Sequence, residues 1–83
     1  MNKLIEIKVL DGYNIWMKFD DGVEKVVNFK PFLGKGFTKE LLDEKKFQEA
    51  FIEEGGGIAW KNGYDFCPNY LREIEGQSAK KVA

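Results

Sequence analysis

The sequence has no histidine, a single cysteine (Cys67) and only two prolines among its 83 residues. Without histidine, the commonest general base and the commonest metal ligand are both missing. One cysteine excludes an internal disulfide and leaves no thiolate pair for zinc. We read Cys67 as a buried thiol, because free cysteine packs as a small hydrophobe. An excess of charge of one sign is also missing: thirteen basic residues stand against fourteen acidic ones, interleaved along the chain, for a formal net charge of −1. Phosphate neutralisation needs a basic stripe, so this balance argues against a nucleic-acid partner. No apolar run approaches the roughly 20 residues of a membrane span, and strand-like alternation begins directly after Met1. We therefore expect no signal peptide, no membrane segment and a cytoplasmic location.

What the chain does have is a core's worth of apolar residues, 43% hydrophobic with 14% aromatic. That suffices for one packed domain and leaves no room for a second. The first thirty residues alternate with period two, the pattern of strands with one buried face. Leu4 to Leu10 sets Ile5, Ile7 and Val9 opposite Glu6 and Lys8. Asp11-Gly12 supplies a turn, and Tyr13 to Phe19 then sets Tyr13, Ile15, Met17 and Phe19 opposite Trp16 and Lys18. After Asp21-Gly22, Val23 to Phe29 sets Val23, Lys25, Val27 and Phe29 opposite Glu24, Val26 and Asn28. These segments predict a three-stranded antiparallel meander.

Pro31 ends the third strand, and Phe32-Leu33 follows as an apolar plug before a flexible turn around Lys35. Thr38 is expected to cap a short helical turn with Leu41 and Leu42 inward. Asp43 is expected to cap a helix from Glu44 to about Ala50 whose face carries Phe47, Ala50 and Phe51. Ile58-Ala59-Trp60 and Tyr64 to Phe66 flank Asn62-Gly63, a strong hairpin signal. Pro68 opens a last helix with Tyr70, Leu71 and Ile74 inward. The prediction is an α+β fold in which the meander is followed by a short helix, a small β-hairpin and a C-terminal helix. Residues 1–75 form its single domain, and residues 76–83 a disordered tail.

This ordered series resembles the bacterial family catalogued as domain of unknown function 2442. The likeness rests on Tyr13 with the strand to Phe19, Asp21-Gly22, the strand ending at Phe29 and Pro31-Phe32-Leu33. It continues with Phe47, Ile58-Ala59-Trp60, Asn62-Gly63, Asp65 and Pro68 to Leu71. It covers roughly residues 4 to 72, and the sequence departs from the expected pattern at Cys67 and at Lys61. The resemblance implies a compact α+β domain without established chemistry, often encoded beside a second small domain in toxin–antitoxin-like pairs.

Two clusters stand out as candidate contact surfaces. Trp60, Asn62, Tyr64 and Asp65 gather aromatic, turn and acidic residues, either as an interface or as a packed hairpin whose turn requires Asn62-Gly63. Trp16 and Val26 lie on the strand face opposite the longer apolar rows, a face that one layer of helices would leave bare. Glu53-Glu54 beside three glycines lacks the parts of a phosphate loop or a calcium loop, so neither a metal nor a cofactor is expected. With no base for Cys67, no catalytic residue is assigned. The leading expectation is a non-catalytic protein-binding or regulatory, antitoxin-like module with a companion protein. We also expect it to form a homodimer through the Trp16 face, with pairing of the strand at residues 4 to 10 as the other route. The alternatives are a small-ligand protein or enzyme using Asp65, and a nucleic-acid-binding accessory protein using the tail and Lys45-Lys46.

Overall fold

A computed structural model describes residues 2–74 and 76–78 of the chain. β1 (Leu4–Leu10), β2 (Asn14–Phe19) and β3 (Glu24–Asn28) form the expected antiparallel meander. The second and third strands begin later than the alternation suggests. Tyr13 belongs to a 3-10 turn, Asp11–Tyr13, and carries a left-handed φ of 66°. That conformation is costly for an aromatic residue. It is held there by its hydroxyl, which donates to Leu42 O, and by edge-on contact with Phe47 at 5.4 Å.

The expected inner face is realised by Ile15, Met17, Phe19, Val27 and Phe29, all buried. β1 differs. A bulge between Leu4 and Glu6 breaks the register, so that Leu4 is buried whereas Ile5 is 57% exposed. An extra residue in one strand takes its neighbour out of the alternation, which period-two reading cannot detect.

The chain after β3 crosses the inner face through 3-10 turns at Lys30–Phe32 and Gly36–Leu42. Thr38 lies inside the second of these rather than capping it: its hydroxyl donates to Lys35 O at 2.6 Å and accepts from Lys35 N–H. Asp43 does cap α1, accepting from Lys45 N–H at 2.9 Å. α1 spans only Glu44–Phe47, shorter than expected, because Phe51–Ile52 form a strand, β4, instead of a further helical turn. β4 pairs with β5 (Ile58–Ala59), which pairs with β6 (Asp65–Phe66), so the expected hairpin is part of a three-stranded sheet. Gly57 is required inside it, since a Cβ there would lie 2.0 Å from Phe66 O.

α2 (Pro68–Glu73) begins at its proline as expected and buries Leu71, whereas Tyr70 is 44% exposed. Cys67 is exposed, not buried. It occupies the position before Pro68, where its sulfur accepts from Tyr70 N–H at 3.4 Å. The segment expected to fray from Gly76 instead supplies β7 (Gln77–Ser78), the fourth strand of the first sheet beside β3. Residues 79–83 of that expected tail lie outside the described residues. Gly76 permits the approach, because a Cβ there would meet Val26 O at 2.7 Å.

One polar residue of the inner face holds this C-terminal return. Lys25 is 9% exposed, and its ammonium donates to the carbonyls of Leu71 at 2.9 Å, Arg72 at 3.2 Å and Ile74 at 2.7 Å. Those carbonyls come from the end of α2, where the helix leaves acceptors without intrahelical partners and a cation is favoured. Burial lowers the Lys25 pKa below the usual lysine value, and the Arg72 charge acts in the same direction. The three acceptors match the three ammonium protons and oppose that effect.

Lys25→Met keeps the chain length and apolar stem but strands three carbonyls. We expect a loss of about 2 kcal/mol in urea unfolding, with faster amide exchange over residues 71–78 than over β2. An unchanged midpoint would mean that the ammonium is dispensable.

Candidate functional site

The six residues singled out as contact candidates divide sharply once the fold is in view. Trp60 is only 3% exposed, and its Nε1–H donates to Phe47 O at 2.9 Å. Its ring meets those of Phe29, Phe47, Tyr64 and Phe66 at 5.5–6.2 Å. It is a core residue that ties the end of α1 to the second sheet, so it presents no interface. Tyr64 is half-buried, and its hydroxyl donates to Phe32 O at 3.2 Å. Burial, and after it the neighbouring Tyr70, raises its pKa, consistent with a phenol kept as a neutral donor. Asn62 Oδ1 accepts from Tyr64 N–H at 3.0 Å within the turn, and Asp65 is exposed. The packed-hairpin reading describes this cluster.

Next to it lies a hollow of about 140 Å³ with Glu40, Lys46, Glu49, Lys61 and Asn62 around Leu41 and Trp60. Its charges offset one another, with Lys46 paired to Glu40 at 3.5 Å. It is smaller than the roughly 300–1,000 Å³ of ordinary ligand pockets, and Asp65 does not line it. Among the described residues, no group of three or more cysteine, aspartate and glutamate side chains is placed to hold a metal ion. No described helix is long and apolar enough to cross a membrane.

Arg72, one of the basic residues, forks onto Asp21 at 2.8 and 3.2 Å while stacking over Phe19 at 5.0 Å. The Arg72 bond lowers the Asp21 pKa, helped by Val23 N–H. The contribution of this pair to stability is therefore present above the ordinary carboxylate range and lost as pH falls through the depressed pKa.

Trp16 and Val26 have a different setting. The register places Lys8, Trp16 and Val26 in one cross-strand row, with Glu6, Lys18 and Glu24 on one side and Leu10, Asn14 and Asn28 on the other. These residues occupy the face opposite Ile15, Met17 and Phe19, and none of them is fully buried. Both helices, the 3-10 crossings and the second sheet contribute their buried side chains to the other face. Trp16 is half-covered by its own sheet: its Nε1–H donates to Glu24 Oε1 at 3.2 Å, and Lys8 Nζ lies 5.9 Å from the ring centroid. The ring is thus oriented by two charged neighbours, with Val26 beside it. Sequence reasoning located this face through the parity of Trp16 but not the Glu24 and Lys8 contacts, which depend on strand register.

If Trp60 serves the core, Trp60→Phe should cost about 1–2 kcal/mol in chemical denaturation, because it removes the indole bond to Phe47 O, which keeps only Ala50 N–H at 3.2 Å, and trims a buried ring. A variant as stable as the parent would show that this bond contributes nothing.

A family model described as "Protein of unknown function (DUF2442)" matches residues 4–76. No curated protein and no solved structure matches the chain. The ordered motifs, the α+β architecture and this match over nearly the whole chain agree, and the chain belongs to the DUF2442 family.

Proposed function

We propose that this chain is a non-catalytic protein-binding module that presents the outer face of its four-stranded sheet to a protein partner in the cytoplasm. The observation that carries this reading is Trp16, held half-buried with Val26 at the centre of a sheet face that no other described element covers. Tryptophan is enriched at interface hot spots because a large ring buries much area with few rotatable bonds. The surrounding Glu6, Lys8, Lys18 and Glu24 supply a polar rim of both signs, the arrangement of a non-obligate interface. The partner surface that fits is an apolar centre with mixed charge around it.

The finer form of the proposal is regulatory: the chain is the antitoxin-like half of a two-protein system, paired with a companion encoded alongside it. The resemblance supports that form, and the small size of the domain agrees with it. A fold of this length buries only about 60–65% of its unfolded surface, so a partner adds stability by mass action.

The test is to isolate the untagged protein from its own cells and identify bound proteins by mass spectrometry. We expect one stoichiometric partner with the wild type and with Trp16→Phe, and its loss with Trp16→Glu, while circular dichroism and urea unfolding show Trp16→Glu still folded. Recovery of the wild type alone, or full retention of the partner by folded Trp16→Glu, would overturn the proposal.

A further inference from the structure

β1 is the outer strand of the four-stranded sheet, seven residues long and paired on one side only, with β2. Its hydrogen-bonding polarity follows from the neighbouring ladder. Phe19 N–H donates to Val23 O and Phe29 N–H to Tyr13 O, so the odd-numbered residues of β2 bond toward β3. Antiparallel alternation then assigns Asn14, Trp16 and Lys18 to β1, where they pair with Leu10, Lys8 and Glu6. Ile7 and Val9 therefore direct their N–H and C=O groups away from β2. On this side the backbone bonds of the described residues reach β1 only at Leu4, whose N–H donates to Gly56 O at 2.9 Å. Two large apolar residues of this strand, Ile5 at 57% and Leu10 at 42%, are left exposed. Unpaired groups along an exposed, apolar strand are a template for another strand.

We propose that a second copy of this chain pairs with β1 in antiparallel fashion about a two-fold axis at Ile7, joining two four-stranded sheets into one. The charges select both occupant and register. Pairing centred on Ile7 spans Ile5 to Val9, clear of Leu4 and its bond to Gly56 O, and sets Glu6 opposite Lys8 of the second copy, and Lys8 opposite Glu6 of the second copy. It also sets Ile5 opposite Val9 of the second copy. Sliding by two residues in one direction sets Glu6 opposite Glu6, and in the other direction Lys8 opposite Lys8. Opposite charges stabilise directly facing cross-strand pairs and like charges destabilise them. The strand is complementary to itself in one register, as a two-fold interface requires. The paired sheets place two Trp16 faces on one continuous surface, so the homodimer and the proposed partner use different parts of the sheet.

Sedimentation velocity on the full chain tests this with two charge reversals. Glu6→Lys makes both members of each facing pair lysine, and Lys8→Glu makes both members glutamate, so each variant alone should dimerise about tenfold more weakly than the wild type. An equimolar mixture of the two restores opposite charges at every such pair and should form a heterodimer at near wild-type strength. Circular dichroism establishes that each variant is folded, and Trp16→Glu should leave the dimer unchanged. Three outcomes overturn the proposal: a wild type that stays monomeric at concentrations of about 100 μM, folded single variants that dimerise like the wild type, or a mixture no stronger than its components. A dimer lost in Trp16→Glu but kept in the β1 variants would likewise overturn it and assign self-association to the sheet face instead.

Discussion

The ammonium of Lys25 is the constraint around which the rest of the molecule is arranged. It sits on the inner face of β3, in line with Val27 and Phe29, where an apolar side chain would be ordinary. Instead it gathers three carbonyls from the end of α2 and fixes where that helix stops. The chain can then pass close over β3 at Gly76 and add Gln77–Ser78 as a fourth strand. A buried charge is costly unless every proton is matched, and here the acceptors number the same as the donors. The Arg72 fork to Asp21 and its stacking on Phe19 hold the same helix from its exposed side.

With the C-terminal return fixed, the aromatic residues complete the core on one side of the sheet. Phe29 meets Phe32, Phe47, Trp60 and Phe66 at 5.0–6.2 Å, joining strands, turns and helix through a single ring cluster. Edge-on and tilted pairs of this kind add about 0.5–1.5 kcal/mol each beyond their buried area. The consequence is asymmetry. The inner face receives both helices and the second sheet, and the outer face keeps Trp16, Val26 and a rim of charges. A domain of this size has little surplus stability, and a tryptophan left half-buried on a sheet face that no other described element covers is more readily explained by contact than by folding.

Much of this was legible in the sequence because it rests on local rules. Period-two alternation located three strands and assigned Trp16 and Lys25 to opposite faces. Asn62-Gly63, Asp43 and Pro68 marked their turn and helix starts through backbone chemistry that depends on few neighbours. What was not legible depends on register and on distant contacts. The bulge at Ile5 and the conversion of Phe51 from helix face to strand follow from pairing partners far along the chain. Cys67 was misplaced because burial was inferred from residue type, whereas the residue before a helix-opening proline stands at the surface. For Trp60 both an interface and a packed hairpin were open in the sequence, because an aromatic beside a tight turn is one or the other according to what packs on it, which only the fold reveals.

If another protein covers the outer sheet face in the cell, the two tryptophans report it. Hydroxyl-radical footprinting read by mass spectrometry compares the purified protein with the untagged protein in its native lysate. Trp60, buried in the core, serves as an internal control and should resist oxidation in both samples. Trp16 should be oxidised in the purified protein and shielded in the lysate. Equal oxidation of Trp16 in the two samples, with Trp60 protected in both, would contradict it.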